Sequence, residues 1–115
     1  MTDIDVKRVR DVMSKVYEKA KAKLGPELKS WNKVFQFEIE GGEPFYVHIS
    51  GESVRVEAGR HPSPLATLTM NRDILSKILR GELDPITAFL RGLAKISGNI
   101  LEAANIRRLF EAAKE

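Results

Sequence analysis

Two histidines, no cysteine and a scatter of carboxylates are all that this 115-residue chain offers for reaction chemistry. A metal ion needs three or four converging donors. His48 falls on the polar side of an alternating segment and His61 in a proline-flanked loop, neither with a third donor nearby. The missing cysteines remove disulfides, thiol nucleophiles and thiolate metal sites together. No G-x-S-x-G elbow exposes a serine, and neither G-x-G-x-x-G nor G-x-x-x-x-G-K-[ST] is present to cradle phosphates. Glu38, Glu40 and Glu57 alternate outward on strand-like segments, where solvation accounts for them. Asp84 precedes a proline, as a helix cap does. The residues therefore predict a chain that is not an enzyme and that uses no metal or cofactor.

The elements that would position any site are legible in the hydrophobic spacing. Val6, Val9, Met13, Val16, Tyr17, Ala20 and Leu24 repeat every three or four residues, which predicts a helix ended by Gly25-Pro26 and capped by Thr2 or Asp3. Strict alternation follows. Phe35, Phe37 and Ile39 share one face with Phe45, Val47 and Ile49, and Val54 and Val56 continue after the turn at residues 50–53. Gln36, Glu38 and Glu40 fall on the other, solvent-facing side. The pattern is an antiparallel meander with one apolar face. Residues 65–70 predict a fourth strand beyond a loop holding Pro62 and Pro64. Asn71 then caps a helix carrying Ile74, Leu75, Ile78 and Leu79 and stopped by Gly81, and Asp84-Pro85 opens a short one carrying Ile86, Phe89 and Leu90. Residues 93–97 read as a fifth strand. After Gly98-Asn99 comes a last helix with Leu101, Ala104, Ile106, Leu109, Phe110 and Ala113. This is a single α+β domain, 1–115.

Composition bounds the function. Hydrophobic residues make up 43% and charged residues 30%, which fits a folded globular chain. No apolar run is long enough to span a bilayer and the N-terminus lacks a signal-peptide core, so a cytoplasmic protein is expected. The formal charge of +3 is uneven, with nine Lys or Arg against five acids in residues 1–33. That basic helix is either a solvated face or a surface for transient contact with an anionic membrane. Nucleic acid is not an expected partner, because no aromatic-strand or helix-turn-helix pattern accompanies the charge.

Residues 34–110 resemble the sterol carrier protein type 2 family. The resemblance runs through the F-x-F strand at Phe35 and Phe37, the strand Ala66-Thr67-Leu68-Thr69-Met70 and the acidic helix start Asn71-Arg72-Asp73. It continues through Leu79-Arg80-Gly81, Asp84-Pro85, Ala88-Phe89 and the segment from Gly92 to Asn99, and is densest over 66–99. Ala94 departs from the pattern, where a leucine is usual. The terminal Ala113-Lys114-Glu115 does not form a peroxisomal tripeptide.

The resemblance implies a five-stranded, mainly antiparallel sheet with helices covering one face around an apolar tunnel. Its implied role is non-catalytic binding and transfer of long-chain lipids, whether fatty acids, acyl chains or sterol- or isoprenoid-like molecules. The alternative is a scaffold presenting a lipid to partner enzymes of lipid or quinone biosynthesis. The residues expected around the lipid are Phe37, Ile39, Val47, Ile49, Leu68, Met70, Ile78, Leu79, Phe89, Leu90, Leu101 and Leu109. A dry tunnel of ~300 Å³ would cost about 7 kcal/mol at ~24 cal/mol per Å³, so the empty form is expected to be partly collapsed, wet or mobile. The last helix, attached by a flexible Gly98-Asn99 corner, is the expected lid.

Overall fold

Helix α1 (Val6–Leu24) buries Val9, Met13, Tyr17 and Ala20, positions three or four apart that form one stripe. The computed structural model of the protein describes residues 6–51 and 53–112, so Thr2, Asp3 and Ala113 lie outside the described residues. Gly25 and Pro26 end α1, and one further helical turn follows that no spacing announced, α2 (Pro26–Lys29), with Leu28 buried. Strands β1 (Asn32–Glu40), β2 (Phe45–Ser50) and β3 (Ser53–Ala58) form the antiparallel meander, with Phe35 opposite Val47 and Val47 opposite Val56.

β4 (Ala66–Asn71) then pairs with β1 and runs parallel to it, Phe35 facing Ala66 and Ile39 facing Met70. The edge strand β5 (Lys95–Gly98) pairs antiparallel with β4 and completes the order β3-β2-β1-β4-β5. The sheet is therefore mixed, which corrects the mainly antiparallel sheet expected above. Alternation reports which face a side chain takes and carries no information on strand direction. β5 begins at Lys95 because Leu93 N and Ala94 N both donate to Ala88 O, at 2.8 and 3.2 Å, closing the helix before it. The remaining helices are α3 (Arg72–Leu79), α4 (Pro85–Leu90) and α5 (Ile100–Ala112). α1 packs on β3, α3 on β1 and β4, and α5 on β4, β5 and α1.

A parallel β1–β4 pair obliges residues 59–65 to carry the chain from one edge of the sheet past β2 and β1. Three strand spacings are about 14 Å, and the register places Ala66 only two residues, ~7 Å, from the level of Ala58. A short loop spans this without a helix, provided that its backbone polar groups find partners against the sheet. Gln36 supplies them. Its Nε2 donates to Phe45 O at 3.0 Å and to Gly59 O at 3.1 Å, and its Oε1 accepts from His61 N at 2.8 Å. Gln36 is 3% exposed, the one buried polar residue among those described, which corrects its expected solvent-facing place. Beside it Arg60 forms a two-pronged ion pair with Glu38 at 2.8 and 2.9 Å, His61 meets the Tyr46 ring edge-on and Leu65 N donates to Val34 O.

The crossover yields a test. Gln36→Met keeps the side-chain length but removes the donor to Phe45 O and Gly59 O and the acceptor of His61 N, and is expected to cost roughly 1–3 kcal/mol in urea unfolding. A loss below about 1 kcal/mol would show that the loop does not depend on this amide.

Candidate functional site

The floor of the site is the inner face of the sheet, where the cross-strand pair Phe37 and Phe45 stacks with ring centroids 4.9 Å apart and planes 8° from parallel. Phe35, Val47 and Ile49 extend it. The walls are Val9 and Met13 from α1, Leu75, Ile78 and Leu79 from α3, Pro85 from α4, and Ile106, Leu109 and Phe110 from α5. Together they enclose a void of about 20 Å³, counted as the room open to the centre of a water-sized sphere, and every lining residue is apolar. A space of this character offers a water nothing to bond and stays dry. At ~24 cal/mol per Å³ it costs about 0.5 kcal/mol.

Short caps aim these walls. Asn71 Oδ1 accepts from Ile74 N at 2.9 Å and starts α3, which turns Leu75, Ile78 and Leu79 inward. Asp84 Oδ2 accepts from Thr87 N at 3.1 Å and from Thr87 Oγ1 at 2.9 Å, fixing α4 with Pro85 at its first position and fully buried. α5 closes the space. Its start is fixed at Gly98, φ 86°, where a Cβ would lie 2.9 Å from Leu65 O. Asn99 N donates to Leu65 O, and Asn99 Oδ1 accepts from Glu102 N at 3.1 Å. The corner expected to be flexible is thus tied down by close backbone packing. Further along, Lys33 pairs with Glu102 at 2.7 Å, Arg107 with Asp84 at 3.3 Å and Arg108 with Glu27 at 2.7 Å.

Of the twelve residues expected around a lipid, the structure brings Phe37, Val47, Ile49, Ile78, Leu79 and Leu109 to the void. Ile39, Leu68 and Met70 lie in the main core without lining it, and Phe89 is half-buried against that core. Leu90 and Leu101 are 77% and 85% exposed. The buried stripe of α5 contains Ala103, Ile106, Leu109 and Phe110, from which Leu101 is rotated by about 80–200°, and Leu90 is the last residue of α4. The space is a small apolar void, and the expected tunnel is not seen among the described residues. Val9, Met13, Phe35, Phe45, Leu75, Pro85, Ile106 and Phe110 border it without having been singled out. Apart from Pro85, their spacing marks them as core, and spacing does not distinguish core against core from core against a void. His48 Nε2 lies 2.7 Å from Asn32 Oδ1 and His61 Nδ1 accepts from Ser63 N at 3.0 Å. No group of three or more potential metal ligands occurs among the described residues.

The sequence pattern of the SCP-2 sterol transfer family matches residues 14–111. The chain belongs to this family. Hydroxysteroid dehydrogenase-like protein 2 of Bos taurus is 30% identical over 87 residues, 72% of this chain, and that of Mus musculus is 31% identical over the same length. The chain spans about a fifth of those proteins, 21% and 18%. Among solved structures, the UbiJ-SCP2 ubiquinone synthesis protein superposes with a TM-score of 0.78 at 18% identity, covering 95% of each chain. Palmitated SCP2L2 from Aedes aegypti gives a TM-score of 0.65 at 23% identity over 86% of this chain and 90% of that one. The apo sterol carrier protein 2 of Yarrowia lipolytica gives 0.63 at 21% identity over 98% and 97%. These likenesses establish a shared α+β fold. Among the described residues no helix is long and apolar enough to cross a membrane.

The ion pairs of α5 carry a pH dependence. The hydrogen bond from Lys33 holds the Glu102 carboxyl below its ordinary value, against partial desolvation and with help from Asn105, and Arg108 does the same for Glu27. Carboxyls made more acidic by folding stabilise α5 fully above about pH 4.3, the ordinary glutamate pKa, and that support is lost as pH falls through the depressed folded values. Once corrected for the intrinsic rate at each pH, amide protection in α5 is therefore expected to fall on acidification before protection in β1 does. Glu102→Gln should reproduce part of this at neutral pH for less than about 1 kcal/mol of global stability. Equal loss of protection in β1 and α5 would show that the pairs do not hold the helix.

Proposed function

We propose that this chain binds long-chain lipids between its sheet and helices and carries them without chemical change. The observation that supports it most directly is the wholly apolar lining of the void over the Phe37–Phe45 stack. Fatty acids, acyl chains and sterol- or isoprenoid-like molecules are the ligands this lining suits, and the palmitated relative from Aedes aegypti agrees with the first of them. The ligand-free space is far below the ~300–1,000 Å³ of ordinary ligand pockets, so binding must displace α3 or α5 outward. The exposed lysines of α1 suit transient contact with an anionic bilayer, and a cytoplasmic location fits this reading. No dehydrogenase chemistry is assigned from the long relatives, because this chain lacks a dinucleotide-binding glycine pattern.

A second reading is a scaffold that presents a lipid to partner enzymes of lipid or quinone biosynthesis. It draws on the likeness to a ubiquinone synthesis protein and on the exposed Leu90, Leu93, Ile100 and Leu101, apolar surface that a partner could cover. Vesicle-to-vesicle transfer separates the two. A shuttle accelerates it, and a scaffold holds lipid without delivering it.

Each methylene buried in the apolar space is worth about 0.8 kcal/mol, close to a fourfold step in affinity. Titration with saturated fatty acids of increasing length is expected to show that step until the space is filled, with a rise in Tm at saturation. Native mass spectrometry of the purified protein identifies any lipid carried through purification. Affinity that does not change with chain length, or a chemically altered ligand, would overturn the reading.

A further inference from the structure

The inner void has a neighbour. Between α1, the end of α3 and the end of α5 an open groove of about 230 Å³ runs over Val12 and Val16, and Lys15, Lys19 and Arg80 line it. Leu79 and Phe110 line both the groove and the inner void, so these two side chains are a wall shared by the two spaces. No acidic residue lines the groove. Arg80 pairs with Glu82 at 3.1 Å, a contact with both side chains about half exposed. Lys15 and Lys19, one helical turn apart, are exposed and have no ion-pair partner among the described residues.

We propose that this groove is the portal and head-group site for single-chain amphiphiles with an anionic head. The alkyl chain passes between Leu79 and Phe110 into the interior, and Lys15, Lys19 and Arg80 hold a carboxylate or phosphate at the mouth. Two features join in this assignment. Charge complementarity selects the head, because Lys15, Lys19 and Arg80 rim an apolar floor and only Arg80 is paired, with the exposed Glu82. Continuity selects the tail, because Leu79 and Phe110 border both the groove and the apolar interior. The anchoring of α5 agrees. Its start is fixed by backbone packing at Gly98, whereas Phe110 lies near its other end, where movement disturbs apolar contacts and exposed ion pairs. The proposal rests on the lipid-binding reading and adds to it a ligand charge, a route and named residues.

The test compares tetradecanoate, tetradecyl phosphate, tetradecanol and inorganic phosphate on the wild-type chain and on the Lys15→Gln, Lys19→Gln double variant. Both substitutions are at exposed positions, so folding is not at risk. The wild type is expected to bind both anionic amphiphiles more tightly than tetradecanol. The double variant should lose about two- to thirtyfold for the anions and leave tetradecanol unchanged, and salt should weaken only the anions. Leu79→Ala, which thins the shared wall, should raise the association rate of tetradecanoate several-fold. Equal affinity for charged and neutral chains, or unchanged anion affinity in the double variant, overturns the portal while leaving lipid binding intact. Inorganic phosphate binding as tightly as tetradecyl phosphate overturns it too, since the chain would then contribute nothing. Failure of all three tetradecyl compounds to bind overturns the lipid-binding reading and the portal with it.

Discussion

The side chain of Gln36 is the point on which the rest of the fold depends. The parallel pairing of β1 with β4 puts the two ends of the β3–β4 connection on opposite sides of β2 and β1. Connections between parallel strands in one sheet are usually a dozen residues or more and helical, a form in which the backbone bonds to itself. Here the connection is extended, and its polar groups need partners from the sheet. One amide serves as donor and acceptor at once, joining Phe45 of β2 to Gly59 and His61 of the crossover. A charged or purely accepting side chain at this place could not do both.

With the crossover loop running over the outer face at Gln36, the long helices pack on the other face. The alternating apolar positions of β1, β2 and β4 then have one layer to pack against, and α1, α3 and α5 must cover it between them. Where the three meet over the Phe37–Phe45 stack, the side chains of α3 and α5 do not fill the space completely. The void is thus a product of the same topology that places the crossover, and its apolar character follows from the strand period. Every residue reaching it from the sheet occupies an inward position of an alternating run.

Element types and caps were largely legible in the sequence, because they rest on local chemistry. Asn71, Asp84 and Pro85 do in the structure what their residue types suggest. The burial of Gln36 was not legible. Its position in an alternating run assigns it to the outer face correctly, but only the course of residues 59–65, a non-local fact, covers that face. The single turn at Pro26 escaped for a different reason, since one turn is too short to show a period. The resemblance to sterol carrier proteins supplied the expectation of an internal apolar space, and spacing alone could not, because a void leaves no mark on which positions are hydrophobic. Leu101 shows the converse. It is apolar and helical, yet its rotation from Ala103 and Ile106 takes it to the surface.

The size of the void decides how such a protein can be both stable and receptive. An open, dry cavity of ~300 Å³ would take about 7 kcal/mol from a domain whose whole stability is expected to be roughly 5–15 kcal/mol. The small void costs only about 0.5 kcal/mol for its 20 Å³, so leaving it empty takes little from the fold. Relief of a strained cavity is then a minor source of binding energy. What drives occupancy is the transfer of the ligand's own methylenes out of water, about 0.8 kcal/mol each, against an association cost of several kcal/mol. Reception also requires that some wall yield more readily than the rest. Gly98 and Asn99 fix one end of α5 through backbone contacts too close to admit a side chain. The other end rests on Leu109, Phe110 and ion pairs open to solvent, contacts that can separate without exposing unsatisfied backbone.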